Sequence, residues 1–110
     1  MTIISAARSN VLVDIADERM RQDDKWGIQD HPDGTDASFV PSRDVYTRLC
    51  NDAFSVGKGT WRHILSEEVY EAYAESDVVL LRAELVQVAA VTAAWIEAID
   101  RRAQSDEAQI

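Results

Sequence analysis

Residues 61–100, WRHILSEEVYEAYAESDVVLLRAELVQVAAVTAAWIEAID, decide how the rest of the chain is read. In the second half of this stretch Leu81, Leu85, Val88, Thr92, Trp95, Ile96 and Ile99 recur at spacings of three and four, the period of one helix face. In the first half Leu65, Val69, Ala72 and Tyr73 form another apolar stripe, bordered by Glu68, Glu71 and Glu75. Two consecutive helices with core-facing stripes predict an all-α fold.

The acids inside this frame carry the functional reading. Glu68 and Glu71 are three residues apart and share a helix face, and Glu67 lies four before Glu71. On the next helix Glu84 points in the direction of Leu80, Val88, Val91 and Trp95, so its carboxylate is expected to face the interior, with Gln87 at the margin of that face. A buried carboxylate is protonated, salt-bridged or bound to a cation. Salt bridges with Arg62, Arg82 or Arg101 are the plain alternative, but acids converging from two antiparallel helices favour the cation. Oxygen donors suit Mg2+, or Mn2+, and Mg2+ commonly bridges protein carboxylates to substrate phosphates. A di-iron centre would need Glu-x-x-His pairs, and neither His31 nor His63 stands three residues after a glutamate.

Working outward, Val11, Leu12, Ile15, Ala16 and Met20 predict a first helix over 5–24, stopped by Gly27. A loop over 27–40 holds His31, Pro32 and Gly34; His31 is either a ligand or acid–base group or a turn residue facing solvent. Pro41 fits the first turn of a second helix over 42–56 that carries Val45, Leu49 and Phe54. Gly57-Lys58-Gly59 breaks that helix without the spacing of a Walker-type phosphate loop, although Lys58 can still approach a phosphate. Thr60 is the expected N-cap of a third helix over 61–76. Asp77 is the expected cap of a fourth over 78–102, and 105–110 reads as a frayed tail.

The chain of 110 residues has the size of a single domain, read here as 1–110. A net charge of -9 with scattered Lys and Arg argues against nucleic acid as a partner. Cys50 is the only cysteine, so no internal disulfide forms and paired-thiolate metal sites are excluded. The start, Met1 to Asn10, has no secretory pattern, and the apolar run Leu85 to Ile96 is too short to span a bilayer, so a cytoplasmic protein with no membrane association is expected. That run is apolar nearly all round, more than three companion helices in so short a chain can cover. A subunit interface, in a homodimer or tetramer, is therefore expected on the fourth helix.

With these residues in place, 61–100 resembles the all-α nucleoside triphosphate pyrophosphohydrolases of the MazG-like superfamily, which includes dimeric dUTPases, dCTP pyrophosphatases and phosphoribosyl-ATP pyrophosphatases. Their signature is Glu-x-x-Glu followed on the next helix by Glu-x-x-Asp. Glu68-Val69-Tyr70-Glu71 matches the first half, and Glu84-Leu85-Val86-Gln87 matches the second except that Gln87 stands in the final place. Residues 18–27, ERMRQDDKWG, also look like the end of the first helix in MazG-like proteins, many of them phage-encoded and others bacterial. The likeness covers most of the chain except the loop and second helix.

The resemblance implies a four-helix MazG-like bundle completed by oligomerisation, and Mg2+-dependent cleavage of a nucleoside triphosphate between the α and β phosphates to the monophosphate and pyrophosphate. It implies Glu68, Glu71 and Glu84 as metal ligands, with Gln87 in the fourth ligand's place and Glu67 or Glu71 orienting or deprotonating the attacking water. Trp26 and Trp61 would stack on the base, and Lys25, Lys58 and Arg62 would contact the phosphates. An uncharged Gln87 weakens the metal site, so the competing expectation is a catalytically reduced module that binds nucleotide or a protein partner.

Overall fold

The computed structural model describes residues 3–108 of the chain, and these are all-helical, with four α-helices and no strand among them. Helix α1 spans Ala6–Trp26, α2 Val40–Ser55, α3 Trp61–Tyr73 and α4 Val78–Ala108, with one short 3-10 turn at Ala37–Phe39 just before α2. The residues group into two compact units. One comprises 1–32 with 93–110, and the other 33–92.

The first unit pairs α1 with the later part of α4. Ser5 caps α1 by accepting the Arg8 N–H at 3.2 Å, and Gly27 ends it at φ 68°, a conformation that disfavours a side chain. Val11 is buried at 1% exposure, and the Arg8 guanidinium lies 3.5 Å from Glu97, an acid only 8% exposed.

The second unit is built on α2 packed against α3. The sequence stripe of Val45, Leu49 and Phe54 is not the buried face of α2, since all three are exposed. Cys50 is buried instead, Tyr46 and Ala53 flank it at intermediate exposure, and Ala72 of α3 is buried as well. Small side chains let two helices approach closely, so the inner face of α2 is the one whose Cys and Ala look least like a core stripe. Tyr46 stacks on Tyr70 with centroids 4.3 Å apart and planes at 11°, and Phe39 tilts against Tyr73 at 5.5 Å. The Asp36 N–H donates to the Tyr73 carbonyl at 3.0 Å, tying the chain ahead of α2 to the end of α3.

A corner of hydrogen bonds turns α3 into α4. Helix α3 stops at Tyr73 rather than at residue 76: the Glu75 N–H turns back only three residues to the Ala72 carbonyl at 3.1 Å, and the Glu75 carboxylate accepts the Asp77 N–H at 3.0 Å. Asp77 Oδ1 then accepts the N–H groups of Val79 and Leu80 at 2.9 and 3.0 Å, capping α4. At the other end α4 runs past Arg102 to Ala108, where a frayed tail was expected; no Gly or Pro follows Arg102 to stop it. Gln109 and Ile110 lie outside the described residues.

Helix α4 departs from its sequence reading in a second way. Of its expected core face, Leu81 is buried at 5% exposure, but Leu85 and Ile99 are left 51% and 45% exposed by the described residues. Val78, Val79, Leu80 and Val86 are also exposed. By length and composition Val78–Ser105 is apolar enough to cross a membrane, so the run extends well beyond Leu85 to Ile96. The same test is passed by soluble helices that bury this surface against protein.

Candidate metal centre

The α3–α4 corner brings Glu84 opposite Glu68 and Glu71, which project from one face of α3. One carboxylate oxygen from each of the three lies within 4.8 Å of the other two. None of these acids has a hydrogen-bond or ion-pair partner among the described residues, and Glu68 Oε2 and Glu84 Oε2 are fully buried without a donor. Burying a carboxylate oxygen without a donor is costly.

The electrostatics follow from this crowding. Burial pushes Glu71 up to about 7, with the charges of Glu68, Glu84 and Glu67 adding to the effect and Arg43 opposing it. Burial also raises Glu68, with Glu84 and Glu67 contributing. Both shifts express a local excess of negative charge, which Arg43 offsets only in part at Glu71.

The donor set fits a hard divalent cation. At an Mg–O length of about 2.1 Å, adjacent ligand oxygens of one ion stand about 3 Å apart, so a group whose oxygens lie within 4.8 Å of one another has to close by up to about 1.8 Å on the ion. A bound cation would also serve the two orphaned oxygens.

The remaining sequence candidates fall in different places. Glu67 contributes no oxygen to the group; it faces Cys50 of α2, whose thiol is pushed up to about 11 by burial and by Glu67 and Glu68, which leaves it inert as a nucleophile. Gln87, one turn beyond Glu84, is exposed. Trp61 and Arg62 open α3, Trp61 half-buried and Arg62 exposed, and Lys58 is exposed in the turn before them. Lys25 and Trp26 belong to the first unit and engage each other, the ammonium sitting 4.8 Å from the indole centroid. His31 is exposed, and its Nε2 lies 3.1 Å from Gln29 Oε1.

His63 was passed over in the sequence. Its Nδ1 accepts the Thr60 N–H at 3.2 Å while Thr60 Oγ1 accepts the His63 N–H at 3.2 Å, a reciprocal capping box that starts α3. The signal was present as Thr60-x-x-His63, with histidine in the place usually held by Glu or Gln. Ser66, four residues after Arg62, was also unremarked, although that spacing sets both on one side of α3.

Comparison with protein-family models, with curated proteins and with solved structures yields no match to this chain.

Proposed function

We propose that this protein is a Mg2+-dependent nucleoside triphosphate pyrophosphohydrolase of the MazG-like kind, cleaving an NTP or dNTP between the α and β phosphates. The observation that carries the reading is the trio Glu68, Glu71 and Glu84, with its two buried carboxylate oxygens that no protein group serves. An acidic group of this kind is unfavourable for the chain alone and is relieved by a cation. The Glu-x-x-Glu and following Glu of the signature place the same three residues at the metal.

In this reading Glu68, Glu71 and Glu84 hold the ion, and the exposed Gln87, three residues after Glu84, takes the fourth ligand's place in the signature as a neutral group. Bound there, Mg2+ supplies charge neutralisation of the phosphate oxygens and activation of water. Glu67 or Glu71 orients or deprotonates the attacking water. Trp61 offers a ring for stacking on the base, and Arg62 and Lys58 offer cations to the phosphates.

The protein acts as a homo-oligomer. Leu80, Leu85, Val86 and Ile99 of α4 are exposed, an apolar surface that a second copy of the chain would cover. Arg82, and Glu84 grouped with two other carboxylates, favour protein rather than lipid as the cover for α4, in keeping with a cytoplasmic protein.

The test is a panel of ribo- and deoxynucleoside triphosphates with Mg2+, Mn2+ or EDTA, with pyrophosphate and monophosphate measured separately. Metal-dependent release of both products is expected. No turnover by folded protein across the panel rejects the enzyme and leaves the second reading, a binding module of reduced catalytic power, which the neutral Gln87 favours.

A further inference from the structure

Helices α2 and α3 are joined by the short connection 56–60 and run antiparallel, and three contacts fix their register. Cys50, buried at 6% exposure, faces Glu67; Tyr46 stacks on Tyr70 at 4.3 Å; and Phe39, just before α2, tilts against Tyr73 at 5.5 Å. Moving back along α2 is therefore moving forward along α3. Arg43 stands seven residues before Cys50, two helical turns away and within about 20° of its direction. It lies between Phe39 and Tyr46, opposite the turn of α3 from Tyr70 to Tyr73 that carries Glu71.

The Arg43 side chain is 37% exposed, and its guanidinium rests on Asp44, with two nitrogens 3.1 and 3.0 Å from one carboxylate oxygen. Asp44 is itself 59% exposed, and an ion pair in water is worth little, so the fork is readily given up to a better anion. Its charge also reaches the acidic trio. Among the described residues Arg43 is the cation that opposes the rise at Glu71.

We infer that Arg43 is a specificity-determining residue, one that makes the trio favour a metal–triphosphate complex over the bare metal ion. Mg2+ alone is repelled by a guanidinium beside its ligands, so Arg43 weakens the hold of the three carboxylates on the free ion. The metal–triphosphate complex is an anion, and its phosphoryl oxygens offer the fork a stronger partner than an exposed carboxylate. One residue thus acts with opposite sign on the two ligands. A variant that merely loosened α2 would lose affinity for both. The triphosphate half rests on the hydrolytic reading; the effect on the bare ion does not.

The experiment titrates the whole protein at low salt with Mg2+ and, separately, Mn2+, without nucleotide, and then measures KM for the magnesium complexes of the nucleotide panel. Arg43→Gln is expected to tighten binding of the free ions by about three- to tenfold, a gain that shrinks when salt is added. The same variant is expected to raise KM for the nucleotide complex by about tenfold. Arg43→Lys keeps the charge and is expected to restore free-ion affinity to near the native value. Arg48→Gln makes the same change of net charge on an exposed side of α2, about 140° away from Arg43, and is expected to move free-ion affinity far less. Free-ion affinity unchanged or weakened in folded Arg43→Gln protein, or an equal gain from Arg48→Gln, overturns the inference. A gain for the free ions with KM unmoved overturns the preference for the triphosphate complex. If free-ion binding tightens as expected but the native protein cleaves no nucleotide, the hydrolytic reading falls and Arg43 stands as the charge that weakens the bare site. If nucleotide is cleaved and Arg43→Gln alters neither free-ion affinity nor KM, hydrolysis stands and the inference falls.

Discussion

Glu84 and Glu97 belong to the same helix and are handled in opposite ways. Glu97 is 8% exposed and has the Arg8 guanidinium 3.5 Å away, so its charge is answered within the first unit. Glu84, in the second unit, has one buried oxygen with no donor and two further carboxylates as its neighbours. A charge buried with its partner holds two helices in register, whereas like charges gathered without one work against the fold. The chain is thus able to find a cation for a buried acid and does so for Glu97. At Glu84 it gathers two more acids instead, which is the basis of the proposed cation site.

The hardest test of that contrast removes one acid from each region. Glu84→Ala or Glu68→Ala is expected to lower metal-dependent pyrophosphate release on the order of 10²–10³-fold, as loss of a group that acts on the transition state does. Glu97→Gln is expected to leave turnover per folded molecule close to unchanged, and an equal loss in both would erase the distinction.

A pH series sharpens it. Glu71 sits near 7 in the fold against an ordinary value of 4.5, and Glu68 is raised as well, so the metal-free folded chain keeps protons that the unfolded chain has released. The stabilisation from that proton is fully present below 4.5 and is lost as pH rises through about 7. Allowing for solvent screening of a half-buried group, the loss is about 1–2 kcal/mol. Thermal melts in EDTA are expected to show a falling midpoint from pH 5 to pH 8. Added Mg2+ is expected to raise the midpoint at pH 8 and to do little at pH 5, and equal stabilisation at both values would argue against the trio as its site.

A smaller effect is expected from restoring a fourth acid. Gln87→Asp is expected to tighten Mg2+ binding by about tenfold, measured as the metal concentration at half-maximal turnover or half-maximal shift in melting. No change in either would place residue 87 outside the reach of the ion. The smallest effect belongs to the paired acid. Arg8 is 61% exposed, so Arg8→Met is expected to cost about 1 kcal/mol in denaturant melts, with no metal dependence. Glu84→Gln is expected to have the opposite sign in the metal-free chain, raising stability.

Much of the candidate centre was legible before any coordinates. Glu84 stands out because its neighbours at helical spacing are apolar, and Glu68 with Glu71 follows from a spacing of three. The hollow of about 190 Å3 that Tyr46 and Leu49 of α2 form with Arg62, His63 and Ser66 of α3 was not legible. Arg62 was one cation among several, and only the pairing of α2 with α3 sets Tyr46 and Leu49 beside it. His63 looked like a residue without a role because its work, capping Thr60, is done through a ring nitrogen in a place where glutamate is the usual signal.

Local periodicity and capping chemistry, which depend on neighbours within a turn or two, were enough to determine an all-helical chain, the capping positions of Thr60 and Asp77, and an inward-facing Glu84. The tertiary structure decided the rest: that Cys50 and not Leu49 is buried on α2, that Glu67 turns to that cysteine while Glu68 and Glu71 meet Glu84, and that Glu97 receives Arg8. Those outcomes depend on the rotation of each helix about its own axis and on contacts between residues far apart in the chain. Close packing there rewards small side chains and complementary charge, neither of which leaves a periodic mark in the sequence.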